Sequence, residues 1–236
     1  VDFRTKLLAT LRAIQPVLDV PGVLVAGSEV PNLLQQDAGS SLIVSEDVDI
    51  AIPIARHRQV KRRLKRVQDL EPSREEPSVW LPTKPGLMEV NFIGMDTEQV
   101  RPGETFVFDD PELPLLVFAH LALLRPGTPI IADGVTVPLP RPAGLMLEKL
   151  VTERSGVKGD RDLLVVLGLI LTASADDLAE VVQTYATLAH ELRHAIRANL
   201  TLLSLLEPHA NMPDPRAYRQ RVTDLFDQLP SPDVST

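Results

Sequence analysis

The run Ser45-Glu46-Asp47-Val48-Asp49-Ile50-Ala51-Ile52 constrains the fold more than any other part of the chain. Acidic and β-branched residues alternate in it, and a strand sends successive side chains to opposite faces. Val48 and Ile50 therefore point into a core, while Asp47 and Asp49 share the other face. Two carboxylates on a stiff strand suit one or two Mg²⁺ ions, which ordinarily bind one or two protein carboxylates together with a substrate's phosphates. Taken alone, the pair is equally readable as an acidic, solvent-facing strand edge.

The flanking residues decide between these readings. Upstream, Val23 to Ala26 reads as a short buried strand running into Gly27-Ser28, with a helix expected from Pro31. A strand, a glycine turn and a helix N-terminus leave backbone N–H groups and a helix dipole free to hold an anion. Ser28 either donates its hydroxyl to that anion or caps the helix. Downstream, seven of the chain's 24 Lys and Arg residues fall between Arg56 and Arg66, although the net charge is −8. The acidic balance argues against a surface that grips nucleic acid all over. The basic block is either a solvated helix face or a patch that draws in a polyanion.

The chain has 236 residues and enough apolar content for a sizeable core. It lacks cysteine, which fits a reducing compartment. The longest apolar runs, Leu115 to Leu124 and Leu163 to Ala173, fall short of a membrane span and read as buried helices. No export signal is visible at the N-terminus, so a cytoplasmic location is expected.

In chain order, Phe3 to Leu18 has helical apolar spacing. Residues 36–41 read as a polar turn, Ser41 to Ile54 as the acidic strand, and His57 to Val67 as a basic helix. Glu71 to Pro85, rich in Pro, Ser and Glu, reads as a long loop. Leu87 to Ile93 is the next strand. Met88, Val90 and Phe92 lie on one face and Glu89, Asn91 and Ile93 on the other, so Glu89 and Asn91 would supply a third oxygen ligand or a base beside the aspartates. Thr105 to Phe108 is a short strand, Pro114 to Leu124 a buried helix, and Ile130 to Pro138 a hairpin turning at Asp133-Gly134. Prolines 138, 140 and 142 then mark a change of regime. Helices are expected over Ala143 to Glu153, Arg161 to Leu171, Ala175 to Leu206 with a break, and Pro215 to Gln228. Asp160 and Asp162 read as an N-terminal cap pair. The expected organisation is an α/β domain over 1–140, a helical domain over 141–230, and a disordered tail over 231–236.

His190-Glu191-Leu192-Arg193-His194 matches the zinc-protease pattern. Such a site also needs a third ligand, for which Glu207 and His209 are the candidates, and a nearby strand to bind substrate. For about fifty residues upstream no strand is expected, which argues against proteolysis.

Gly27-Ser28, Asp47-Val48-Asp49 and a later strand bearing an acid together resemble the nucleotidyltransferase superfamily of the polymerase β type. A second segment, Pro140-Arg141-Pro142-Ala143-Gly144-Leu145-Met146-Leu147-Glu148-Lys149-Leu150 followed by Arg154, Lys158, Asp160, Arg161, Asp162 and Leu163, looks like AbiEii/AbiGii toxin-like proteins and related uncharacterised members. The resemblance covers roughly residues 20 to 170. It implies an α+β fold in which a mixed sheet flanked by helices precedes an all-helical C-terminal half. It also implies that Gly27, Ser28, Lys149 and Lys158 hold a nucleoside triphosphate. Asp47, Asp49 and Glu89 would bind Mg²⁺ or Mn²⁺, with Asn91 and Lys149 completing the catalytic set. The acceptor would be the hydroxyl of an RNA end or a protein near the basic helix Arg56 to Arg66, and a partner protein would dock on the helical half. No membrane is implied. The chain departs from the family in the 18 residues between Ser28 and Asp47, a longer gap than usual. It also carries Asn91 where a third carboxylate is expected. An asparagine can ligate a cation but cannot take a proton. Either Glu89 takes that role, or the chain is a catalytically degraded nucleotide-binding or toxin–antitoxin-type interaction protein.

Overall fold

A computed structural model describes residues 2–34, 47–98, 104–152, 156–208 and 214–232, with backbone alone for 156–158. The expected polar turn at 36–41, the first residues of the acidic strand and the last four of the tail lie outside these. Two compact units divide the chain at Pro140 and Arg141.

The N-terminal unit is built on a seven-stranded mixed sheet. Strand β1 (Leu24–Val25) pairs antiparallel with β2 (Asp47–Pro53), and β2 pairs parallel with the central strand, which spans Glu89–Met95. From Ile50 onward β2 is buried on both faces, as an inner strand must be. Asp47 and Asp49, at its start, remain half-buried.

Residues expected as a loop over 71–85 instead add two strands. β3 (Leu70–Pro72) and β4 (Val79–Pro82) form an antiparallel ribbon, and β4 continues onto the central strand, now β5, through Val79 opposite Asn91 and Trp80 opposite Val90. The ribbon's outer strand tolerates proline because its free edge needs no N–H donors. Trp80 meets Phe92 edge-on at 6.0 Å.

The helix expected over 114–124 is likewise a strand followed by a 3₁₀ turn. β6 (Phe106–Phe108) pairs with β7 (Leu115–Val117), which joins β5 at Gly94 opposite Val117, and Ala119–Leu123 then turns. Leu115 and Val117 are buried while Leu116 is exposed, the period of a strand hidden within an all-apolar run. The close approach rests on a glycine. A Cβ at Gly94 would lie 2.5 Å from Val117 Cγ2 and 3.3 Å from the Val117 backbone.

Helices pack around the sheet and a hairpin. α1 (Phe3–Ala13) starts from Asp2, whose carboxylate accepts from the Thr5 N–H, and buries Leu7, Leu8 and Leu11. The expected single helix to Leu18 breaks at Ile14, because Pro16 has no N–H to continue the ladder, and resumes as α2 (Gln15–Leu18). α3 (Val30–Leu34) is barely one turn, and α4 (His57–Leu64) buries His57, Val60 and Leu64. The hairpin β8 (Ile130–Ala132) to β9 (Val135–Val137) turns at Asp133 and Gly134, both at positive φ (47° and 77°), the twist that suits a two-residue turn. α4 packs against β2, and α1 and α2 pack against β9.

The C-terminal unit contains helices α5 (Pro142–Val151), α6 (Gly156–Thr172), α7 (Ala175–Thr187), α8 (His190–Leu205) and α9 (Arg219–Gln228), with no strand among the described residues. α5 is its centre, buried from Ala143 to Val151 against α6, α7 and α8. Ser174 and Asp177 form a capping box for α7. Asn199 on α8 donates to the Leu150 carbonyl at 2.7 Å, and Arg197 lies 3.9 Å over the Phe226 ring. α6 begins earlier than expected, so Asp160 and Asp162 sit within it rather than capping it. Among the described residues no helix is long and apolar enough to cross a membrane.

The Gly94 contact is testable. Gly94→Ala should cost about 1–3 kcal/mol through overpacking and lower the thermal midpoint by several degrees. A cycle with Val117→Ala should show the two changes coupled by about 1 kcal/mol, since the smaller neighbour makes room for the added methyl.

Candidate functional site

The parallel register of β2 and β5 places Asp47 opposite Glu89 and Asp49 opposite Asn91. Side chains directly opposite one another on paired strands share a face, so all four polar groups meet at the start of both strands while Val48, Val90 and Phe92 are buried on the other side. Asn91 Nδ2 donates to Asp47 Oδ2 at 2.8 Å and to Asp49 Oδ1 at 3.3 Å, so the two carboxylates converge on one amide. Partial burial, reinforced by the negative charge of Asp47, Glu76 and Asp49, pushes the Glu89 carboxyl above its ordinary value.

β1 ties the glycine turn to this place. The N–H of Ala26, the residue before Gly27, donates to the Asp49 carbonyl at 2.9 Å. Gly27 is buried and Ser28 half-buried. The sequence reading missed Glu29. Its side chain is fully buried and folds back over Gly27, so that a Cβ there would fall 2.1 Å from Glu29 Oε2. Gly27 thus makes room for a neighbouring carboxylate, which is a different reason for glycine from the approach of a phosphate. A glutamate directly after Gly-Ser is the sequence signal that points to it. Since α3 has only five residues, its dipole adds little to the turn.

The other predicted residues lie in the C-terminal unit. Lys149 is not the exposed helix lysine that surface statistics favour; it is buried, with Nζ 3.1 Å from Glu148 and 3.9 Å from Asp162. Lys158 is in the first turn of α6, and its side chain lies outside the described residues, as do Arg154 and His209. His190 and His194 are exposed on α8 with Nε2 atoms 3.1 Å apart.

The basic run divides in two. Lys61 is committed to Asp110 at 2.9 Å and Glu112 at 2.8 Å. Burial opposes ionisation of Asp110, yet the Lys61 ammonium and the N–H groups of Glu112 and Leu113 outweigh it and bring that carboxyl down to about 2. Arg56, Arg58, Arg62, Lys65 and Arg66 are exposed.

Among the described residues, no three His, Asp or Glu side chains form a ready-made metal cage. Asp47 and Asp49 offer two carboxylates of the kind a hard cation takes, with Glu89 directly opposite Asp47. Burial first, and then the charge of its acidic neighbours, disfavours ionisation of Glu89, and the Asn91 amide, turned over, would offer a carbonyl oxygen where it now offers an N–H.

The raised Glu89 carboxyl has a pH signature. A carboxyl raised in the folded state binds protons more tightly there than in the unfolded chain, so folding stability from this group falls as pH rises from its unfolded value, near 4.5, through its folded value. Glu89→Gln should remove that decline and raise the thermal midpoint at pH 7 by about 1–3 °C. Differential scanning calorimetry between pH 4 and 8 checks both.

No protein-family model and no curated protein matches the sequence. Among solved structures, the chain resembles the crystal structure of an antigenic nucleotidyltransferase-like protein from Paracoccidioides brasiliensis, with a TM-score of 0.58 and 17% sequence identity over 96% of this chain and 94% of that one. At that identity the likeness is one of fold: a mixed α+β, nucleotidyltransferase-like arrangement with a helical C-terminal part.

Proposed function

We propose that the chain is a divalent-cation-dependent nucleotidyltransferase that moves a nucleoside monophosphate from a nucleoside triphosphate onto a hydroxyl, and that it is related to the AbiEii/AbiGii toxin-like group. The observation that carries this reading is the register of β2 and β5, which gathers Asp47, Asp49, Glu89 and Asn91 on one face beside the Gly27-Ser28 turn.

In this reading Asp47 and Asp49 hold the cation, with Glu89 as a further ligand, and Asn91 fixes the aspartates' rotamers. Mg²⁺ or Mn²⁺, when bound, neutralises the triphosphate and makes the attacking hydroxyl more acidic. The acceptor oxygen bonds to the α-phosphorus as the bond from that phosphorus to the bridging oxygen breaks, and pyrophosphate leaves. Glu89, whose carboxyl lies above its ordinary value, is suited to take the hydroxyl proton. Backbone N–H groups at Gly27 and Ser28 hold phosphate oxygens, and the family resemblance assigns Lys149 and Lys158 to the phosphates and the departing pyrophosphate. Positioning and electrostatics supply the catalysis, as in phosphoryl transfers generally. The acceptor is an RNA end or a protein, a partner protein docks on the helical half, and the protein works in the cytoplasm.

One observation favours a second reading, a degraded nucleotide-binding or toxin–antitoxin-type protein. The Asn91 amide satisfies both aspartates without any cation.

Thermal-shift measurements with the four nucleoside triphosphates and Mg²⁺ or Mn²⁺ should stabilise the protein with at least one nucleotide. Asp49→Ala should abolish cation-dependent transfer of labelled nucleotide, a loss of at least about 10³-fold, and leave folding intact. Stabilisation by no nucleotide would sink both readings. Nucleotide binding without turnover in the wild type, with activity gained in Asn91→Asp, would identify an enzyme silenced at one position; no gain would favour the binding protein.

A further inference from the structure

A cleft of about 520 Å³ opens in the N-terminal unit between the second half of α1, the segment after α4 and the turn that leads into β5. Its charged lining is Arg12, Arg66, Lys84 and Asp69, set among small or apolar groups such as Ala9 and Pro85. Asp69 is paired with Lys84 at 2.5 Å, which fixes one wall and leaves Arg12 and Arg66 as surplus positive charge. Arg12 donates to the Asp133 carbonyl at 2.9 Å, a bond that orients the guanidinium without neutralising it. The turn is anchored in turn, because the Met88 N–H donates to the buried Thr10 hydroxyl of α1 at 2.8 Å. Glu89, the residue after Met88, begins β5 and carries the first polar group of the candidate site on that strand.

The positive charge continues out of the cleft. Arg58 and Arg62 are four residues apart on α4, on the side away from Val60 and Leu64, and Lys65 and Arg66 follow in the turn that ends the helix. All four are exposed, whereas Lys61, on a neighbouring stripe, is held by Asp110 and Glu112. Together with Arg12 in the cleft, this run offers separate cations to several phosphates of one strand rather than to one. A small phosphorylated metabolite would fill the cleft and leave the stripe without a role. In a protein of net charge −8, a surplus confined to one cleft and one helix face is a local field for a polyanion.

We infer that this cleft and the Arg58–Arg62–Lys65–Arg66 stripe are the track for the phosphodiester backbone of a single-stranded polynucleotide, which makes a polynucleotide the acceptor class of the proposed transferase. The inference rests on that functional reading for the word acceptor; the binding itself does not depend on it. Backbone contacts of this kind grip without reading sequence, so affinity falls steeply with salt.

The test is fluorescence anisotropy with a labelled single-stranded oligoribonucleotide of about 12 nucleotides, without nucleoside triphosphate, across a salt series. The proteins compared are the wild type, Arg12→Glu, Arg62→Glu, Arg66→Glu, and Arg74→Glu, which makes the same charge change at an exposed position that does not line the cleft. Each of the first three reversals should weaken binding by about fivefold or more and lower the salt slope by about 0.7, while Arg74→Glu stays within about twofold of wild type. Equal weakening by Arg74→Glu would overturn the inference, because net charge alone would explain it. So would binding of polyglutamate as tight as that of the oligonucleotide, which would point to an acidic protein. Phosphate binding that depends on Arg12 and Arg66, without oligonucleotide binding, would overturn it in favour of a small-anion pocket. A DNA oligonucleotide bound as tightly as RNA supports the track and shows that the sugar is not read. Because Asp49→Ala protein should bind the oligonucleotide normally, failure of the track and failure of the transferase reading give different results.

Discussion

The parallel pairing of β2 with β5 is the constraint on which the N-terminal unit depends. It sets the core on one face, through Val48, Ile50, Val90 and Phe92, and by the same register gathers four polar side chains on the other. Side-chain alternation has a period of two, so a one-residue slip would bury Asp47 and Asp49 and expose the core residues opposite. The cost of burying two carboxylates makes the register nearly unambiguous. Stability and site geometry therefore follow from one set of backbone hydrogen bonds. The strands on either side serve that pair: β1 brings the glycine turn to Asp49, and β4 and β7 divide the free edge of β5 between them.

How much of this the sequence disclosed depends on how local each signal is. The acidic face was legible because alternation over Asp47 to Ile50 and over Met88 to Ile93 has one structural solution. The hairpin at Asp133-Gly134 was legible because few residue pairs accept positive φ at both turn positions. The β3–β4 ribbon was not. Its Pro, Ser and Glu residues carry loop chemistry, and only pairing with a strand some ten residues away makes it a strand. β7 was read as helix because an uninterrupted apolar run has no period to measure; its pairing at Gly94 decides the matter from outside the segment. The separation into an α/β part and a helical part followed from the proline cluster, which removes N–H donors where either pattern would continue.

At the site, the sequence brought together the residues whose roles follow from strand faces and missed those whose roles follow from tertiary packing. Glu29 over Gly27 and Lys149 between Glu148 and Asp162 are of the second kind. So is the cleft, whose Arg12, Arg66 and Lys84 come from three separate elements. The basic run looked uniform in sequence but is two structures, a lysine clamped to Asp110 and Glu112 and an arginine-rich stripe facing solvent.

Asn91 has a consequence for how this unit and any cation relate. An aspartate at this position would put a fourth carboxylate beside Asp47, Asp49 and Glu89, adding to the negative charge that already helps to raise the Glu89 carboxyl. The Asn91 amide instead supplies its own positive end to the two aspartates, at 2.8 and 3.3 Å. On the proposed reading, a cation using the Asn91 oxygen would have to turn the amide over and displace these two hydrogen bonds, so it would enter most readily with a ligand that brings oxygen atoms of its own.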